Sequence, residues 1–148
     1  MDKKKVRKVR EDSFGLLMKK VVLQIEKELN LRLADVGLNV KTFGIIMLLL
    51  EEEGLTQKEL GTRTGVQDYA TTRVLDSLEQ QGLIERRPHP TSRRANLIFL
   101  TKKGQEQRGK LPKLIKGVNE DFLAVCNRDE RKILQDALTK ILDSRLLK

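Results

Sequence analysis

Tryptophan is absent from the chain, and 148 residues hold one tyrosine, one cysteine, one histidine and three prolines. Each scarcity closes off a class of protein. A single cysteine makes no internal disulfide, which points to a reducing cytoplasm. One cysteine with one histidine supplies no thiolate–imidazole zinc set, so only an all-carboxylate metal site stays open. No cofactor is expected. Long apolar runs are missing too. The longest, residues 45–50, falls far short of the ~20 residues that span a bilayer. The basic start (Lys3, Lys4, Lys5, Arg7, Lys8, Arg10) leads into no cleavable apolar stretch, so no secretory signal is expected. With no glycine-rich phosphate loop and no nucleophile–base set legible, an enzyme is not expected.

What the chain has is charge. Charged residues make up 34% and hydrophobic residues 39%, enough for one core under a heavily solvated surface. The formal net charge of +9 favours a polyanion or an anionic membrane surface as partner. Residues 1–13, 14–53, 54–100 and 101–148 carry net charges of +3, −1, +2 and +5, so the excess is spread. From Arg86 to Lys103, however, there are six basic residues and no acid. A charge run alone is most often a solvated face; its neighbours decide what it does here.

Phe14, Leu17, Met18, Val21, Ile25 and Leu29 recur at helical spacing, behind Asp12 or Ser13 as N-cap. This predicts a helix into the low thirties. Gly37 breaks the chain and Asn39 caps the next helix, whose stripe is Val40, Phe43, Ile46, Met47 and Leu50. Then comes Leu55-Thr56-Gln57-Lys58-Glu59-Leu60. Thr56 and Glu59 form a capping box, and Leu55 with Leu60 a hydrophobic staple. That helix is short, because Thr64-Gly65 stops it. The next, over 67–81, faces inward with Val66, Thr71, Val74, Leu75 and Leu78, and Gly82 follows its end.

The period then becomes that of strands. Residues 83–87 and 96–100 make a hairpin around the polar loop 88–94, which carries His89 between two prolines, and Arg93 and Arg94. His89 reads as an exposed loop residue. Thr101 caps a following helix with Leu111, Leu114, Ile115, Val118, Phe122 and Val125 on one face, kinked at Pro112. Asn127 and Glu130 form a second capping box ahead of a helix with Ile133, Leu134, Ala137, Leu138, Ile141 and Leu142. Cys126 reads as a buried, inert thiol, and the basic arm 3–10 as disordered when free.

Two helices at a tight turn suit the major groove, which is ~12 Å wide and admits one helix. Turning Val74, Leu75 and Leu78 inward sends Asp68, Tyr69, Thr72, Arg73 and Asp76 outward. Arg73 suits guanine or phosphate, and Thr72 a hydrogen bond or a thymine methyl. Asp68 serves as a helix cap, and Asp76 lies beyond the groove. Arg93 and Arg94 at a loop tip suit the minor groove, whose negative potential attracts arginine. Arg86 and Arg87 alternate along a strand, so at most one grips a phosphate strongly. A helical hairpin that docks only protein is the alternative.

The stretch 55–101 resembles the MarR family of winged-helix transcription regulators. The resemblance rests on Leu55-Thr56-Gln57-Lys58-Glu59-Leu60 and on Asp76-Ser77-Leu78-Glu79-Gln80-Gln81-Gly82-Leu83-Ile84-Glu85-Arg86. It continues in Arg93-Arg94 followed by Leu97, Leu100, Thr101 and Gly104. It implies a homodimer on pseudo-palindromic operator DNA, with a recognition helix that begins near Gln67. Arg94 matches the family's wing arginine, with Ser92 where that motif usually has Asp. Gln67 sits where Ser or Thr often caps, and Thr71 where the family is usually aliphatic. The family also implies a small-molecule effector, typically an amphipathic anion.

The fold class expected is therefore mainly α (α+β): a winged helix–turn–helix core with N- and C-terminal dimerisation helices. One domain is expected over 1–148, with a basic arm at 1–12, dimerisation helices at 13–36 and 101–148, and a DNA-binding lobe at 38–100. The terminal stripes exceed what one small core covers, and pairing them across a two-fold axis buries them; packing within one chain is the alternative. The function expected is a cytoplasmic repressor that contacts DNA through Gln67, Asp68, Tyr69, Thr72, Arg73, Arg86, Arg87, Arg93 and Arg94, with no membrane partner.

Overall fold

A computed structural model describes residues 1–146, with side chains to residue 145. Helix α1 (Lys3–Glu11) is followed by α2 (Phe14–Ala34) and α3 (Val40–Glu51). A two-residue strand β1 (Leu55–Thr56) leads into α4 (Gln57–Thr64) and α5 (Asp68–Gln80). Strands β2 (Ile84–Pro88) and β3 (Asn96–Leu100) come next. Then follow a short α6 (Lys102–Gln105), a 3-10 turn (Glu106–Gly109), α7 (Leu111–Phe122) and α8 (Arg128–Leu146). The chain forms two compact units, Met1–Ile115 and the segment from Lys116 onward.

The first unit holds a winged helix–turn–helix core. Its sheet has the order β1-β3-β2 and is antiparallel throughout. Leu55 pairs with Ile98, and Ile84 with Leu100. Ile45, Ile46, Leu49, Leu60, Leu75 and Leu78 of the helices are buried, as are Ile84 and Ile98 of the sheet. Asn39, Thr56 and Thr101 cap their helices as the sequence predicts, whereas Ser13 at the start of α2 makes no side-chain cap bond. The Thr56 hydroxyl accepts from the Glu59 amide at 3.2 Å, and Glu59 accepts from the Thr56 amide at 2.7 Å. Leu55 and Leu60, the staple pair, are both buried. Asn39 caps α3 through the Lys41 and Thr42 amides.

Five expectations need correction. The basic arm is helical rather than disordered: α1 spans Lys3–Glu11, wholly exposed, with an Arg7–Glu11 pair one turn apart. The buried side of α3 is Thr42, Ile45, Ile46, Leu49 and Leu50. Val40, Phe43 and Met47 are only half-buried, because this helix packs against α2, α4, α5 and β3 rather than along one seam. The third strand, β1, has no signal of its own; two residues become a strand only by pairing with β3. The helix after Thr101 is not one kinked rod. It breaks into α6, a 3-10 turn and α7, and Pro112 lies in the first turn of α7, where its missing N–H costs nothing. Cys126 is half-buried rather than buried.

In the second unit, Asn127 and Glu130 exchange amide bonds at 2.9 and 3.0 Å, the second capping box. Arg131 of α8 pairs with Glu120 of α7 at 2.7 Å.

Candidate nucleic-acid interface

The interface is built on the turn between α4 and α5. Gly65 takes the left-handed backbone (φ 68°) that ends α4. A Cβ on Gly61 would lie 3.0 Å from the Thr71 hydroxyl and 3.1 Å from the Val66 carbonyl, so its bare backbone lets the helices close. Thr71 is fully buried, and its hydroxyl donates within the turn, to the Val66 and Gln67 carbonyls at 3.2 and 3.1 Å. A hydroxyl at an otherwise aliphatic place thus secures the turn instead of leaving a polar group unpaired.

With Thr71, Val74, Leu75 and Leu78 buried, α5 exposes Asp68, Tyr69, Thr72, Arg73 and Asp76. Gln67 occupies the N-cap without a side-chain cap bond, and Asp68 falls in the first helical turn rather than at the cap. Tyr69 is 68% exposed. Thr72 is partly committed: its hydroxyl accepts from Gln57 at 2.6 Å and donates to the Asp68 carbonyl at 3.1 Å. Arg73 is exposed, with no hydrogen bond or ion pair among the described residues. It borders a hollow of about 280 Å³ that Tyr69, Ser77, Asn39 and Lys41 also line. Lys41 is a cation that sequence reasoning missed. Only the packing of the start of α3 beside α5 brings it to this face.

The four wing arginines divide in two. Arg86 pairs with Asp76 at 2.6 Å and also with Glu79, both of α5, and is 20% exposed. It ties the strand to the helix, and Asp76 is engaged here rather than idle. Arg87 pairs with Glu85 at 2.7 Å, and its guanidinium lies 4.0 Å from the Phe99 ring centroid, a cation–π geometry. Arg93 and Arg94 are exposed with no hydrogen bond or ion pair among the described residues. The structure therefore separates two arginines that brace the wing from two left free at its tip.

The loop that carries this free pair is organised by His89, which is half-buried rather than the exposed residue expected. Its amide donates to the Ala95 carbonyl at 3.2 Å. Its ring Nδ1 accepts from the Thr91 and Ser92 amides at 3.1 and 3.2 Å. No group of three or more His, Cys, Asp or Glu able to hold a metal ion occurs among the described residues.

A tight-turned helix pair, an outward helix and a basic hairpin held to it by ion pairs define a winged helix–turn–helix protein. The family model described as MarR family matches residues 36–95, the span that holds α3 to the wing tip. The HTH-type transcriptional regulator TtmR of Methylorubrum extorquens is 36% identical over 115 residues, covering 75% of this chain and 56% of that protein. The chain spans 66% and 56% of two curated relatives it matches. Among solved structures, the transcriptional repressor CouR bound to a 23-mer DNA duplex superposes with a TM-score of 0.81 at 28% identity, covering 90% of this chain and 95% of that one. A mutant MarR from E. coli complexed with operator DNA gives 0.81 at 25% identity, covering 90% and 96%. Over residues 36–95 the chain is thus similar to the MarR family.

Proposed function

We propose that this protein is a transcriptional regulator, a repressor, that binds pseudo-palindromic operator DNA as a homodimer in the cytoplasm. Helix α5 enters the major groove with Gln67, Asp68, Tyr69, Thr72 and Arg73, and the wing places Arg93 and Arg94 in the minor groove. Arg86 acts mainly by fixing the angle between wing and helix, and Arg87 reaches phosphate only by giving up Glu85. The observation that carries this reading is the set of cations Arg73, Arg93 and Arg94, unpaired among the described residues, on two elements braced against each other. A phosphate backbone supplies the missing counter-charge. The likeness to chains whose structures were solved with DNA supports the same reading.

The homodimer is supported by apolar side chains that each unit leaves in water. On α2, Phe14, Leu17, Val21, Val22 and Leu23 are exposed; on α8, Ile133, Leu134, Ile141 and Leu142 are. Two α5 helices about 34 Å apart would reach successive major grooves. A small-molecule effector would act by changing that spacing. No helix among the described residues is long and apolar enough to cross a membrane.

Replacing Arg93 and Arg94 together by Ala tests the reading. Affinity for duplex DNA should fall about tenfold or more at ~0.1 M salt, and the salt slope should shrink by about 0.9 for each phosphate no longer gripped. An unchanged affinity and slope would remove the wing from the interface and favour a protein-docking module.

A further inference from the structure

We propose that His89 is a positioning residue of the wing: its unprotonated Nδ1 holds the loop bearing Arg93 and Arg94, so duplex binding weakens on acidification. The inference rests on the DNA-binding reading above.

The loop has few other means of support. The β2–β3 ladder ends at the Pro88–Asn96 pair, and one further backbone bond, His89 to Ala95, extends it. Pro88 and Pro90 flank the histidine and offer no N–H. The next two amides, of Thr91 and Ser92, both turn to a single ring nitrogen at 3.1 and 3.2 Å, with the Thr91 hydroxyl 3.4 Å away. This is the side-chain-to-backbone turn that Asn and Asp commonly make, closed here by an imidazole.

An imidazole nitrogen accepts only through a free lone pair, so the neutral ring must carry its proton on Nε2. In the imidazolium both nitrogens are donors. Nδ1–H would then face two N–H groups, and the clamp would become a repulsion. Acid that protonates the ring therefore opens the clamp. Glu59 of α4 is the carboxylate of a neighbouring element that senses the ring: the Thr56 amide and then the Thr56 hydroxyl hold it low, and a charged His89 adds the least of the lowering effects. Arg93 and Arg94 follow on the same loop. Protonation also adds one cation beside the DNA, an opposing attraction. The loop itself must therefore be read as well as the affinity.

Asparagine separates these effects, because its Oδ1 can accept from the same amides and does not titrate. In the full chain, amide exchange of Thr91 and Ser92 is followed by NMR at about pH 8 and about pH 5.5. Anisotropy of a labelled duplex, taken from the DNA upstream of the coding sequence, is measured on the same samples. In the unaltered protein both amides should lose about tenfold in protection factor on acidification, and duplex affinity should fall at least about threefold. His89→Asn should keep protection and affinity at both pH values. His89→Ala should lose protection at both. If protection is the same at both pH values, or if His89→Asn keeps the pH dependence of the unaltered protein, the clamp is overturned while DNA binding stands. If no variant binds duplex at either pH but protection follows the pattern above, the DNA reading fails and the loop clamp survives.

Discussion

The winged head and the terminal helices are built from similar apolar residues and end in opposite states. In the head, Leu60, Leu75, Leu78, Ile84 and Ile98 are fully buried, and the one buried hydroxyl of the turn, that of Thr71, is satisfied by two carbonyls. In α2, burial stops at Leu29 and Leu33, while Phe14 and Leu17 are 59% and 50% exposed. In α8, Ile133 and Leu142 are 68% and 64% exposed. The head thus draws its stability from its own packing. The ends carry stripes whose ~25 cal/mol per Å² of apolar burial is not yet collected, and helices of this length gain little from propensity alone. One region buries its apolar residues within its own packing; the other leaves much of its stripe in water.

The sharpest way to break the head is at Gly104. A Cβ there would lie 2.1 Å from the Leu83 carbonyl oxygen, a backbone atom with little freedom to retreat. Gly104→Ala should cost about 3 kcal/mol or more in denaturant unfolding, as overpacking at a fixed backbone does. A loss below about 1 kcal/mol would mean that the junction of β3 and α6 is looser than the head around it.

The opposite substitution targets the ends. Leu17→Glu with Val21→Glu adds charge to the exposed stripe of α2 and should leave the unfolding of the head within about 0.5 kcal/mol of the parent. Sedimentation should then report single chains, and duplex affinity should drop at least about tenfold because two half-sites no longer act together. Retained self-association would show that the α2 stripe is not the joint.

The smallest effect is local to the start of α4. Thr56→Ala removes the cap hydroxyl and should cost about 1 kcal/mol. Its partner Glu59 sits below its ordinary value of 4.5, first because the Thr56 amide donates to it and then because the Thr56 hydroxyl does. A carboxyl lowered in the folded state stabilises the fold above its unfolded value and loses that contribution as pH falls through the folded one. Stability of the parent should therefore decline as pH drops below about 4.5, and Glu59→Gln should flatten that decline. An identical slope in both proteins would mean that the box adds nothing to the head.

Local chemistry explains what could be read in advance. The capping boxes at Thr56 and Asn127, the stops at Gly65 and Gly82 and the strand pair at 84–100 each depend on residues within a few positions of one another. Their signals survive in a linear chain. At the interface, residue types identified which cations lie on the α5 and wing elements. Their states could not be read. Arg86 and Arg93 look alike as letters, and only packing of β2 beside α5 pairs one with Asp76 and Glu79 and leaves the other free. Lys41 reaches the hollow beside Arg73 through the same long-range packing.

By itself the order of residues determined the helices from α2 to α5, the last helix, the helix–turn–helix and the basic hairpin, because periodicity, caps and turns act over one or two turns of chain. Tertiary structure alone decided that two residues at 55–56 become a strand against β3 and that Arg86 is paired by α5 while Arg93 is not. Those outcomes depend on which groups meet across many residues of chain, and hydrogen bonds and ion pairs are made only where folding brings their partners within about 3 Å.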